Sequence, residues 1–168
     1  MKHAKKLIAL TLALVCLTLS MSSCATLTIG TLLFSSLANS NNDVEEFYEL
    51  VSENKELLDI YADDIYSCWY DYVYEDEYSS VDSALIAAMA DNYDNIERIE
   101  ENNKKIKDLY KDAKDSDLED EVREVMQAYN EYYAFVMEVS GSFNSYSAGL
   151  EPLKKALATA LRNLEIEL

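Results

Sequence analysis

Apolar residues recur after residue 42 at alternating steps of three and four, the spacing of one face of an α-helix. Three long stretches follow this pattern, at about residues 43–78, 81–114 and 117–140, and a fourth begins near Pro152. Polar connections at 79–80 and 114–116 separate the first three stretches. Because such short connections join antiparallel neighbours, the pattern predicts an all-α fold. We expect an antiparallel up-down bundle of three long helices plus a shorter C-terminal helix.

The predicted helix ends rest on short polar motifs. Asn42 with Glu45, and Ser116 with Glu119, have the spacing of capping boxes at the starts of the first and third helices. The polar run at residues 39–42 is expected to form a turn before the first helix. Residues 141–149, GSFNSYSAG, are expected to form a loop because of their glycine, serine and asparagine content.

Two asparagines, Asn92 and Asn103, interrupt the apolar seam of the second predicted helix. Pairing across the two short connections places Asn103 level with Tyr129 and within reach of Asn54. Since single buried asparagines set the register of coiled coils, we hypothesise that this polar layer fixes helix register. On this hypothesis Asn103→Leu raises stability and loosens the register, and simple unfolding of that variant would contradict it.

The N-terminal segment has the three parts of a secretory signal. Lysines come first, residues 7–19 are apolar, and small residues then lead to Cys24. Met21-Ser22-Ser23-Cys24 resembles the lipobox of bacterial lipoproteins. The resemblance implies that residues 1–23 are removed and that Cys24 is acylated, with palmitate or a similar chain. It also implies a lipid anchor on the extracytoplasmic face of the cell membrane or the outer membrane, and Ala25 is compatible with either.

An alternative interpretation is one uncleaved membrane helix. The apolar character extends from Leu7 to Phe34, 28 residues, which is long enough to cross a bilayer. Serines, threonines and a glycine in the middle of this stretch oppose it. Both interpretations place residues 43–168 outside the cytoplasm, because the lysines precede the apolar run. With a lipid anchor, the chain divides into a signal peptide (1–23), a lipidated N-terminus and tether (24–42) and a helical bundle domain (43–168).

The charge of the chain excludes several partners. All 32 acidic residues follow Cys24, together with 11 of the 14 basic ones, so the processed chain carries a formal charge of −21. Such a surface repels phosphate backbones, and we expect no nucleic-acid binding. It also repels anionic lipid headgroups. We therefore expect the helical bundle domain to stand off the membrane by itself.

Histidine, on which many catalytic and metal sites depend, is missing from the processed chain. The only histidine of the full chain, His3, lies in the predicted signal peptide. Its removal would exclude Ser-His and Cys-His catalysis and histidine-ligated metals. The acidic run at 112–121 fails as a calcium loop, because Asp120 and Met126 occupy the positions that need glycine and glutamate. We expect no enzyme activity, no cofactor and no metal.

Aromatic residues are concentrated between residues 61 and 78. Tyrosine and tryptophan commonly anchor protein interfaces, and only part of this cluster can face inward at helical spacing. We therefore predict a non-enzymatic interaction or structural module of the cell envelope, with a protein partner. The alternative is a small-molecule-binding bundle with an aromatic pocket near Trp69. The predicted interaction surface consists of Tyr66, Trp69, Tyr70 and Tyr74.

Overall fold

The structure, a computed structural model, describes the backbone of residues 30–168 and the side chains of residues 42–168. The predicted signal peptide, Cys24 and most of the alternative membrane helix lie outside the described residues. Within them the chain forms helices and no strand, which confirms the all-α prediction. Residues 30–168 form five helices: α1 (Gly30–Tyr74), α2 (Val81–Asp91), α3 (Tyr93–Ala113), α4 (Glu119–Met137) and α5 (Phe143–Glu167).

Helix α1 begins earlier than the sequence pattern predicts. The polar run at residues 39–42 lies inside the helix, so the turn and the Asn42 cap predicted there are wrong. Asparagine and serine cost only a fraction of a kcal/mol each inside a helix, at most about 0.7 kcal/mol. Breaking the helix there would leave several backbone groups without hydrogen-bond partners. The continuous helix therefore has the lower free energy.

The second predicted helix is divided at Asn92 into α2 and α3. Asn92 has a non-helical ψ of 18°, and its side-chain amide donates to the carbonyl oxygen of Ala88 at 3.0 Å. A side chain that bonds its own backbone in this way competes with regular helix geometry. Asn92 therefore interrupts the helix as well as the apolar seam.

The C-terminal helix is longer than predicted. Helix α5 begins at Phe143, not near Pro152, and has 25 residues against 19 in α4, so the predictions of a loop at 141–149 and of a shorter last helix are wrong. Ser142 and Ser145 form a reciprocal capping box at its start, directly after Gly141 with a φ of +87°. The serines that indicated a loop therefore start the helix.

One hydrophobic core joins α1, α3, α4 and α5. Its members come mainly from the predicted apolar stripes, because a stripe at helical spacing is the face that each helix can bury. Helix α2 adds the small residue Ala88 to this core, and its Ala84 is buried as well. The largest fully buried side chains are Tyr129, Tyr132, Tyr146, Phe47, Leu58, Ile65, Ile99, Ile106, Leu157 and Leu164.

Candidate interaction surface

Three tyrosines form a row along the C-terminal part of α1. Tyr66, Tyr70 and Tyr74 are spaced four residues apart, which places them on one helix face. The ring centroids are 6.3 Å apart for Tyr66 and Tyr70 and 4.7 Å apart for Tyr70 and Tyr74. All three remain between 36 and 57% exposed.

Phe143, at the start of α5, contacts the whole row. Its ring centroid lies 5.3 Å from that of Tyr66, 6.1 Å from Tyr70 and 5.9 Å from Tyr74. Aromatic pairs at these distances attract beyond simple burial. We call these four residues the tyrosine face. The sequence predicted that Phe143 packs inward, and it is half-buried against the hydrophobic core, but its contact with the three tyrosines was not predicted.

Trp69 does not belong to the exposed surface, although the sequence predicted it there. It is only 4% exposed, with its ring 6.2 Å from that of Phe143 and 5.7 Å from that of Tyr146. The reason is helical spacing, which places Trp69 on the same face as Ile65, one turn earlier, and that face is buried. Trp69 therefore lies beneath the tyrosine face and contacts it through Phe143.

The start of α5 is held against α1 and α4 by Tyr146. Its hydroxyl donates to the carbonyl oxygen of Ala62 at 3.3 Å, and its ring stacks on Phe135 at 4.9 Å. Gly149 follows one turn later, where a Cβ atom would lie 2.8 Å from the Phe135 ring. The absence of a side chain at Gly149 therefore lets α5 approach α4 closely, which fixes the position of Phe143.

A buried polar network connects α1, α3 and α4. The Asn54 amide donates to the Tyr129 hydroxyl at 2.8 Å, and that hydroxyl donates to Oδ1 of Asn103 at 3.1 Å. The amide also donates to the carbonyl oxygen of Ile99 at 3.2 Å. The sequence predicted the right layer, but the two asparagines meet through Tyr129 and not directly. Burial raises the pKa of the Tyr129 phenol.

A second polar contact joins α1 and α4. The Tyr132 hydroxyl donates to Oδ1 of Asp59 at 2.6 Å, while Lys55 pairs with Oδ2 of the same carboxylate at 2.7 Å. Burial, and then the neighbouring Asp59, raise the pKa of Tyr132. The phenol therefore stays protonated and keeps donating to the carboxylate at any ordinary pH.

Four grooves on the described surface have volumes of about 500 to 600 Å³. None of the four is lined by Trp69, whose surroundings are filled by aromatic rings. Among residues 42–168, no three His, Cys, Asp or Glu side chains are placed to hold a metal ion. The site thus offers aromatic rings and phenol hydroxyls, which suit binding.

Within the part of the chain that the structure describes, no helix has a stretch long and apolar enough to cross a membrane. Comparison of the sequence with protein-family models, with curated proteins and with solved structures found no match.

Proposed function

We propose that this protein is a membrane-anchored, extracytoplasmic helical-bundle lipoprotein that acts as a non-enzymatic interaction module of the cell envelope. The anchor rests on the resemblance of residues 21–24 to a lipobox. The interaction role rests on one observation, the tyrosine face. The lipid anchor would hold the bundle at the membrane, and the tyrosine face would bind a protein partner there.

We infer that α1 and α3 run in opposite directions within this module. The amide of Asn102 donates to Glu53 at 3.1 Å, and the amide of Asn92, directly before α3, donates to Asp64 at 2.6 Å. Residue numbers thus rise along α1 while those of the partners fall. This ordering supports the first antiparallel pair of an up-down bundle.

The contacts of α4 support the same arrangement. Asn54 meets Tyr129, and Asp59 meets Tyr132, so residue numbers rise together along α1 and α4. Helices α1 and α4 would thus be parallel to each other, and α3, which contacts both, would run in the opposite direction. Only five residues, 138–142, separate α4 from α5, and a connection of that length joins antiparallel neighbours. The direction of the chain would therefore be up, down, up and down.

The tyrosine face is suited to binding because its rings are already ordered. Tyr66 and Tyr70 contact Phe143 and each other, so little rotamer freedom is left for a partner to remove. Tyrosine combines a large apolar ring with a hydroxyl, which is why it recurs at binding hot spots. A row of three such residues on one helix forms a contiguous apolar patch, whereas surface aromatic residues are ordinarily scattered singly.

Site-specific photocrosslinking in intact cells tests this proposal. A photoreactive phenylalanine analogue replaces Tyr74, and the same analogue replaces Ile166, which is exposed on α5, as the control. We expect a discrete crosslinked adduct at position 74 and none at 166. Tyr66→Ala with Tyr70→Ala should abolish the adduct while leaving the helical circular dichroism unchanged.

The mass of the protein recovered in this experiment tests the anchor. A chain that begins at Cys24 and carries acyl groups is expected. An intact N-terminus would overturn the lipoprotein part and leave the uncleaved helix. Equal adducts at positions 74 and 166, or an adduct that survives the double alanine variant, would remove the tyrosine face as the partner site.

A further inference from the structure

A second exposed apolar surface lies on α2 and the first residue of α3. Ile86, Met89 and Tyr93 are 64, 50 and 69% exposed. Their spacing of three and four residues places them on one side of the helical segment. Ala84 and Ala88 are buried on the other side. We call the three exposed residues the α2 face, and none of them belongs to the tyrosine face.

The α2 face borders a groove of about 530 Å³. Besides the three exposed side chains, the half-buried Ile96 and the carboxylates of Glu97 and Glu100 line it. Single apolar residues are common on protein surfaces, but several large ones around one groove indicate a binding surface. Methionine adapts to different partner shapes, and tyrosine is frequent among interface anchors.

The surroundings of the α2 face are strongly anionic. The sequence contains no lysine, arginine or histidine between Lys55 and Arg98. The Arg98 guanidinium already pairs with Glu53 on α1 at 2.6 Å. Six exposed carboxylates belong to α2 and the first half of α3: Asp82, Asp91, Asp94, Glu97, Glu100 and Glu101.

We propose that the α2 face binds a cationic amphipathic helix of a partner protein. The apolar side of that helix covers Ile86, Met89 and Tyr93, and its lysines or arginines meet Glu97 and Glu100. Binding of a helix in a groove uses apolar anchors at helical spacing, and opposite charges at the rim set the choice of partner. A second copy of this chain would bring two anionic rims together, which like-charge repulsion opposes.

The test uses the full-length protein in nanodiscs of zwitterionic lipid. The probe is a fluorescent synthetic peptide with leucines on one helical side and lysines on the other, and empty nanodiscs give the baseline. We expect saturable binding by fluorescence anisotropy. A scrambled peptide of the same composition, which has no apolar side, should bind at least tenfold more weakly.

The variant Ile86→Ser with Tyr93→Ser should raise the Kd for the amphipathic peptide at least tenfold. Ile166→Ser is the matched control, because Ile166 is 69% exposed and lies between two glutamates on α5. It should leave the Kd unchanged. Both substituted positions of the double variant are exposed, so its helical circular dichroism should match the wild type.

Charge complementarity is tested separately. Glu97→Gln with Glu100→Gln should weaken binding about threefold to tenfold and reduce its salt dependence, because each lost carboxylate removes one attraction to the peptide.

Four results would overturn the proposal. The first is no saturable binding, and the second is equal binding by the scrambled peptide. The third is loss of binding in Tyr66→Ala with Tyr70→Ala while Ile86→Ser with Tyr93→Ser still binds, which would move the peptide to the tyrosine face. The fourth is reversible self-association abolished by Ile86→Ser with Tyr93→Ser, which would make the α2 face a contact between copies.

Failure of the crosslinking at Tyr74 leaves this proposal standing, since the two surfaces share no residue.

Discussion

Tyr129 links Asn54 to Asn103 because its hydroxyl accepts from one side chain and donates to the other. From the sequence alone, replacing Asn103 by leucine was expected to raise stability, since an apolar side chain would fill an apolar seam. The bond from Tyr129 changes that expectation. Leucine at position 103 would leave the Tyr129 proton without its acceptor in the core, and an unpaired buried donor costs about 1–3 kcal/mol.

We therefore predict that Asn103→Leu lowers the free energy of unfolding by about 1–3 kcal/mol. Adding Tyr129→Phe removes the donor that Asn103→Leu would strand, so the double variant should be less destabilised than the sum of the two single variants. Urea denaturation followed by circular dichroism measures all three. Asn163→Leu, at an exposed position on α5, is the control and should change stability by less than about 0.5 kcal/mol. A more stable Asn103→Leu protein would restore the original hypothesis.

At the scale of elements, the contact between α4 and α5 depends on a glycine inside a helix. Gly149 costs α5 up to about 1 kcal/mol of helix propensity relative to alanine. A Cβ atom there would lie 2.8 and 3.0 Å from two carbons of the Phe135 ring, which itself stacks on Tyr146. The close approach of the two helices thus outweighs the local preference for alanine.

Gly149→Ala should accordingly destabilise the protein by up to about 2 kcal/mol, because the overpacking cost of about 1–3 kcal/mol is only partly offset by a gain in helix propensity of up to about 1 kcal/mol. A smaller residue opposite the new methyl group should relieve the strain. In the background of Phe135→Leu, the same alanine substitution should therefore be neutral or stabilising. Thermal unfolding of the four proteins measures this. Equal effects of Gly149→Ala in both backgrounds would show that the Phe135 contact is not responsible.

At the scale of the whole molecule, buried phenols couple stability to alkaline pH. Burial raises the pKa values of Tyr129, Tyr132 and Tyr146, and the Asp59 carboxylate raises that of Tyr132 further. In the unfolded chain a tyrosine titrates near pH 10. Above that pH the folded state keeps protons that the unfolded state has lost, so the free energy of unfolding falls as pH rises. Below the unfolded pKa the contribution of these phenols is fully present.

We predict that these phenols do not change the free energy of unfolding up to about pH 9. Above about pH 10 the free energy of unfolding should fall steeply. The part of the tyrosinate absorbance that comes from the buried phenols should rise together with the loss of helical circular dichroism, because these phenols ionise only on unfolding. Tyr132→Phe should flatten the alkaline slope, whereas Tyr93→Phe, at an exposed position, should not. Ionisation of all tyrosines well before unfolding would contradict this account.

The all-α class and the membership of most of the core could be predicted from the sequence, because helical periodicity is a local property of the chain. The polar layer could be predicted as well, since the short connections set which residues of neighbouring helices lie level. The lipobox resemblance, and the expectation of no histidine chemistry in the processed chain, also come from residue identity alone.

Helix ends and exposure were decided by the tertiary structure. Ser142 and Ser145 are loop residues by composition, but together they form the capping box at the start of α5. Trp69 and Tyr70 are neighbours in sequence, yet Trp69 lies beneath the surface and Tyr70 on it. Whether a residue at the margin of a stripe is buried depends on which helix covers that margin. That information lies in distant parts of the chain, which is why the two proposed binding surfaces became defined only when the helices were packed.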